Sequence, residues 1–518
     1  MLRRIELENF KGVGPRIDLD LKPVTLLFGP NSAGKSTVLH ALHLLHGLLE
    51  HGSPDVEHSR IGGRGLDLGG FQTFVHNRDT SRPVRIALEF DPDVGDVLNV
   101  LDEPIDTDGY PAVETSLHLD YSEHVRHIRV EIEIRWSELA EAPIVLRYAL
   151  GIDHETLCVV EATEDGASTW VTAINGAHPC LDTESDERGP EEQADHEEMF
   201  KHLRHMQFPC LPGRRSALPW GNRLPGFDLE SFGDDLMQLR VGRLLQASVA
   251  LLKLLLDRFR YVGPIRQCPP RAYQPPRRRD EGRWADGLGA WDAMSANPTL
   301  RGEVSDWLRL PERCGTGYRV EEFEYREVPS YAWTHVYVAS AMGELVKTFP
   351  DFDRAPRRSR LVMVDEAKQL ELAPCELGEG ISQVVPVIAA ALATENDGPD
   401  GKRIATRLVA IEQPELHIHP RVQVALGDLF LANMGERQFL LETHSEHLVL
   451  RMLRRIRETT EGSLPPEGQR CTVDDVAVLY IHQLEGAVAV KNLGISPDGD
   501  FLEDWPGGFF EERAREIF

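Results

Sequence analysis

One short stretch constrains this chain more than any other. The apolar run Val24-Thr-Leu-Leu-Phe28 leads into Gly29-Pro-Asn-Ser-Ala-Gly34-Lys35-Ser36, and apolar residues then recur at helical spacing over Ser36–Leu49. A continuous apolar run bounded by glycine reads as a buried strand, and the periodic segment after it as a helix. The loop between them matches G-x4-G-K-[ST] in full. Its glycines let backbone N–H groups close around an anion, and the following helix N-terminus favours negative charge. Lys35 is placed to reach β- and γ-phosphates, and the Ser36 hydroxyl to ligate Mg²⁺. Gly29, Asn31, Ser32, Ala33, Gly34 and Thr37 complete the expected cradle. A glycine-rich turn matching by chance would lack the flanking strand and helix. The expected ligands are ATP and Mg²⁺.

The rest of the chain falls into four segments. Residues 1–80 hold the loop and an opening strand at Ile5–Phe10. Residues 81–178 alternate with period two (VRIALEF, VRHIRVEIEIRW, APIVLRYALGI, STWVTAI), which predicts an antiparallel β-rich lobe. Residues 179–350 begin in an acidic stretch without periodicity, His178–Glu198, read as a solvated linker. A long helix is expected at Asp234–Phe259, and YVGPIRQCPPRAYQPPRRR after it is too rich in proline to be regular. In residues 351–518 a strand at 360–364 precedes alternating helix (380–393), strand (407–411), helix (420–433), strand (437–442), helix (445–458) and strand (475–481). Such alternation predicts a parallel sheet flanked by helices. The fold class is therefore α/β, one nucleotide-binding core assembled from both ends of the chain, with a β-rich lobe and a helical insertion between.

Composition removes several alternatives. Lys and Arg number 56 against 84 Asp and Glu, a net charge of −28. That balance opposes wholesale coating of nucleic acid, although the arginines of Arg271–Arg279 and Arg451–Arg455 could form a local basic contact. The longest apolar stretches, Leu244–Leu256 and Val384–Ala393, fall short of the ~20 residues that cross a bilayer. No apolar core follows the two arginines of MLRRIELENF, so no secretory signal is expected. Seven cysteines are scattered without a CxxC pair, which favours reduced thiols in a cytoplasm.

A second half of the site is expected at Arg407-Leu-Val-Ala-Ile-Glu-Gln-Pro-Glu-Leu-His-Ile-His-Pro420. Glu412 ends an apolar strand, where a carboxylate holds Mg²⁺. QFLLETHS (438–445) is another strand ending in a polar loop, which can bring His444 beside a γ-phosphate.

GPNSAGKST, IEQPELHIHP and ETHSEHLVLRMLRR together resemble the ABC-type AAA ATPase heads of the SMC/RecF/OLD class (OLD, overcoming-lysogenization-defect). LENFKG resembles their opening strand. YVGPIR (261–266), ELGEGISQVVPV (376–387) and WPGGFFEERAREIF (505–518) look like a bacterial family of single-head ATPases carrying a C-terminal domain of unknown function. The resemblance implies that Gly378, Gly380, Ser382 and Gln383 form the signature region, which in ABC-type dimers reaches the nucleotide on the other subunit. It gives His444 the part of the switch histidine. Related heads end the Walker B strand in Asp-Glu, whereas Glu412-Gln413 stands here. Glutamine orients water but cannot take its proton, so Glu415 is the nearest alternative base.

Three competing patterns carry less. RLVMVDE (360–366) looks like a Walker B strand but precedes the signature region instead of following it. Glu485, Asp498 and Asp500 are too close in sequence for a Toprim nuclease. His417, His419 and His444 lack further ligands at zinc spacing. His40, His43 and His46 share one helix face and read as structural. The resulting expectation is an ATP-dependent switch that dimerises head to tail and acts in antiphage defence or DNA repair. With no nuclease motif of its own, it would control a separate nuclease or other effector. A nucleotide-binding scaffold with little hydrolysis stays open, and a transporter motor is the remaining alternative.

Overall fold

The computed structural model describes residues 1–63, 65–93, 95–97, 125–181, 207–208, 232–276, 280–327, 356–397, 403–484 and 486–506. Along the chain come β1 (Leu2–Glu8), β2 (Ile17–Asp20), β3 (Val24–Phe28), α1 (Lys35–His51), β4 (Val84–Phe90), β5 (Ile128–Ser137), β6 (Ala142–Ile152), β7 (Glu155–Ala162), β8 (Thr169–Ile174) and β9 (Gln207–Phe208). The middle supplies α2 (Phe232–Asp257), β10 (Phe259–Val262), α3 (Leu288–Ala296), α4 (Pro298–Arg309), β11 (Tyr318–Arg326), β12 (Arg357–Asp365) and β13 (Leu370–Leu372). The last part holds α5 (Glu379–Leu392), β14 (Glu395–Asp397), β15 (Arg403–Ala405), β16 (Leu408–Glu412), α6 (Pro420–Asn433), β17 (Gln438–Glu442), α7 (Glu446–Glu461), β18 (Val476–Leu484) and β19 (Ala487–Asn492).

The site sits on a six-stranded sheet of order β10-β16-β17-β3-β18-β19. Its first five strands are parallel and only β19 runs against its neighbour. β3 from the N-terminal end thus lies between β17 and β18 from the C-terminal end. Every residue of β3, β16 and β17 is buried, as strands covered on both faces require. Their side chains alternate between two cores. Leu27, Ala410 and Leu440 pack with α1, α2 and the β-rich lobe. Val24, Leu26, Phe28, Val409, Ile411, Phe439 and Leu441 pack with α5, α6 and α7.

A second, antiparallel sheet has the order β2-β1-β4-β5-β6-β7-β8-β9. The opening strand β1 therefore pairs with β4 of the lobe, not with the sheet that carries the loop.

One expectation fails. Phe259–Val262 is a fully buried strand at the edge of the parallel sheet, although the prolines after it suggested irregular chain. They begin at Pro264, just beyond β10, so they terminate the strand without interrupting its ladder. Most of the acidic stretch (182–198), Arg277–Arg279, Glu485 and the tail from residue 507 lie outside the described residues.

Candidate nucleotide site

The loop after β3 needs its glycines. Gly29 has φ 147°, and a Cβ there would stand 1.9 Å from the Ile481 carbonyl oxygen of β18. Gly34 has φ 98°, with a Cβ position 2.6 Å from Val488 Cγ2 of β19. Ser32 is also left-handed, at φ 62°, and Gln483 Nε2 donates to its carbonyl at 3.2 Å. Asn31 and Ser32 lie on the exposed crest, while Ala33 and Thr37 are buried beneath it. Gly34 caps α1 without any side-chain acceptor for the first-turn N–H groups. Such N–H groups suit an anion.

Lys35, 3% exposed, donates to the carbonyls of Gly29 (3.0 Å) and Pro30 (2.9 Å). Its ammonium lies 3.8 Å from Glu442 Oε1, and the Ser36 hydroxyl donates to Glu442 Oε2 at 2.7 Å. Glu442 ends β17 and is paired in register with Glu412 at the end of β16. The Tyr261 hydroxyl of β10 donates to Glu412 Oε1 at 2.7 Å. Two buried carboxylates therefore end adjacent strands beside the loop. Burial, reinforced by Glu442, raises Glu412 to about 7, and burial also lifts Glu442. Desolvation lowers Lys35, while Glu442 and Glu412 oppose it.

Gln413 follows β16 in the left-handed region, at φ 44°. Its N–H donates to the Glu442 carbonyl at 2.7 Å. Glu415 has both oxygens engaged: Oε2 accepts from Thr443 Oγ1 and Oε1 from the His444 N–H, each at 2.7 Å. It braces the loop after β17 against the loop after β16. Burial raises its pKa. The His444 ring is half-buried and lowered by desolvation and then by Lys35; its Nε2 is buried without a hydrogen-bond partner among the described residues.

The segment expected to be the signature opens α5. Gly378 is its exposed N-cap, and a Cβ at Gly380 would stand 2.8 Å from the His417 carbonyl oxygen. Ser382 donates to the Glu379 carbonyl at 2.8 Å. The Gln383 amide is spent on Arg266, donating to its carbonyl (2.8 Å) and accepting from its N–H (3.3 Å).

Residues 1–173 match the family model described as "AAA ATPase domain". Residues 299–451 match one described as "AAA domain, putative AbiEii toxin, Type IV TA system". Over 92 residues the chain is 38% identical to a protein named OLD nuclease from Thermus scotoductus, a stretch that is 18% of this chain and 15% of that relative. Towards both ends, then, the chain is similar to AAA domains. Solved structures similar to this chain include an SmcHead bound to the C-winged helix domain of ScpA, at 10% identity and TM-score 0.40, covering 96% of this chain and 98% of that one. The SMC head domain from Thermotoga maritima gives 9% and 0.36, covering 95% and 99%. A Smc head domain with an extended coiled coil, bound to the C-terminal domain of ScpA derived from Pyrococcus furiosus, gives 10% and 0.37, covering 100% and 98%. At these scores the strand order above, and not the overlay, carries the fold.

The competing sequence patterns described resolve into structural roles. RLVMVDE lies on β12, in a separate antiparallel sheet with β11 and β13, and Asp365 accepts from the N–H groups of Ala367 and Lys368 in a turn. His419 caps α6 through its ring nitrogen. His43 is buried against Tyr261 and bonded to Ser59, and His46 faces Asp257. The arginines of α7 are matched to acids: Arg451 and Arg455 to Asp428, Arg454 to Glu458, Arg457 to Asp500. Arg271 pairs with Glu376. The basic stretches described are thus largely neutralised. No helix among the described residues is long and apolar enough to cross a membrane.

Glu442, Tyr261 and Arg266 were not expected as site residues. Glu442 is visible in sequence only as the residue before Thr443-His444. The order β16-β17-β3 is what sets it beside Ser36.

Proposed function

We propose that this chain is an ATP-binding, slowly ATP-hydrolysing switch that pairs head to tail in the cytoplasm and regulates a separate effector, a nuclease or toxin, in antiphage defence or DNA repair. One observation carries the reading: Lys35, Ser36, Glu412 and Glu442 converge at a glycine loop ahead of an uncapped helix N-terminus. In the free protein the Lys35 ammonium is spent on two carbonyls of its own loop and on Glu442. A triphosphate offers it stronger, charge-assisted acceptors. Ser36, Glu412 and Glu442 are the oxygen donors Mg²⁺ prefers, and the bound ion supplies charge neutralisation at the phosphates. Gln413 orients water, and the His444 ring lies within reach of the Lys35 charge. The similarity to an OLD nuclease and to a toxin–antitoxin AAA model supports the defence setting.

Lys35→Ala removes a charge-assisted contact worth about 1.5–3 kcal/mol. Calorimetry should show ATP binding at least tenfold weaker, and unchanged affinity would end this assignment. A second reading, a nucleotide-binding scaffold, draws on Gln413 and on the engagement of both Glu415 oxygens. Steady-state turnover separates the two.

A further inference from the structure

Arg266 is a buried arginine, and what sets it apart is how its polar atoms are spent. Nη2 donates to the Glu412 carbonyl and, at 3.1 Å, to that of Gln413. These are the two carbonyls at which the chain leaves β16 and turns left-handed. Nε and Nη1 are buried without a hydrogen-bond partner among the described residues, yet the side chain is almost wholly out of solvent, at 2% exposed. A buried cation with unused donors is costly, so packing alone would favour an apolar residue here. Its main chain holds the other end of the connection. The Arg266 N–H and carbonyl form a reciprocal pair with the Gln383 side-chain amide, in the first turns of α5. Gly287 packs close against it, where an added Cβ would stand 2.9 Å from Arg266 Cβ.

We propose that Arg266 is a positioning residue that transmits movement of the α5 N-terminus, through Gln383, to the left-handed Gln413 turn. Left-handed geometry is unfavourable for a residue with a Cβ and persists only where surroundings over-determine it. Two clamps do so: the Glu442 carbonyl holds the Gln413 N–H, and Arg266 holds the Glu412 and Gln413 carbonyls. If α5 meets a nucleotide bound by a second copy, the same helix governs the residue that orients water on its own copy. The inference rests on the proposed hydrolysing switch.

The test compares ATP affinity, kcat and KM for the full chain and for Arg266→Lys, Gln383→Ala and the double variant. Lysine keeps the charge but is shorter and lacks the planar guanidinium that sets Nη2 against both carbonyls. Each single variant should lower kcat at least tenfold with KM and ATP affinity within about threefold. The double variant should fall no further than the worse single, because both act along one connection. A purely structural role would lower the melting temperature without this split between kcat and KM. Unchanged kcat in both single variants, or losses that multiply in the double, would overturn the inference while leaving the switch intact. A parent protein that binds ATP but never turns it over would remove the hydrolysis reading and this inference with it.

Discussion

Glu415 shows how much one residue's partners decide. Both its oxygens accept hydrogen bonds from the loop that carries His444. A proton acceptor for water needs a free lone pair aimed at that water, and Glu415 spends its carboxylate elsewhere. Glu415→Gln keeps one carbonyl oxygen for the His444 N–H, and its NH₂ can donate to the Thr443 hydroxyl. Turnover should therefore stay within a few-fold, whereas loss of a general base would cost about 10²–10⁴. Glu415→Ala breaks both bonds, frees the His444 loop and should cost more than tenfold. Single-turnover rates of the two variants decide the matter, and a hundredfold loss in Glu415→Gln would restore it as the base. Glu442 invites the complementary test. Removing its charge in Glu442→Gln should weaken ATP binding in Mg²⁺ at least tenfold and leave binding in chelator little changed. Equal losses in both buffers would show that it supports only the fold.

At the scale of elements, legibility followed the range of the interaction. The loop Gly29–Ser36 was readable because strand, loop and helix are contiguous. The helices α5, α6 and α7 and the strands β16 and β17 were readable because each carries its own period. Glu442 was not, since its partner Ser36 is 406 residues away in sequence and only the order of parallel strands joins them. β10 is four residues long and precedes a run of prolines, so no local signal outweighed them. The ion pairing of the α7 arginines was hidden for a similar reason. Asp428 on α6 receives both Arg451 and Arg455, and a single sequence cannot show that match. Asp428→Ala should cost about 1–3 kcal/mol in chemical unfolding, because half-buried Arg451 loses its carboxylate and buried Arg455 keeps only Glu458. A loss below about 0.5 kcal/mol would show that solvent replaces the carboxylate freely.

For the whole molecule, the proposed head-to-tail pairing requires a segment of one copy to meet a nucleotide on another. The α5 N-terminus faces outward: Glu379 is 80% exposed and His417, beside it, 52%. The loop crest at Pro30, Asn31 and Ser32 is exposed as well. Two such surfaces on one chain can be covered together by a twofold pair that uses each of them twice. The arrangement can be probed where the fold will not suffer. Ser382 is a poor choice for a bulky substitution, since it is 6% exposed and bonded within its own helix. Gly378 is better, because an added Cβ meets no atom within 4 Å and its backbone is extended at φ −61°. Gly378→Arg should therefore keep the melting temperature and ATP affinity of the parent. Light scattering in ATP and Mg²⁺ should then show pairing weakened at least tenfold. Pairing equal to the parent's, with the variant folded and nucleotide bound, would place the contact on another face of the molecule.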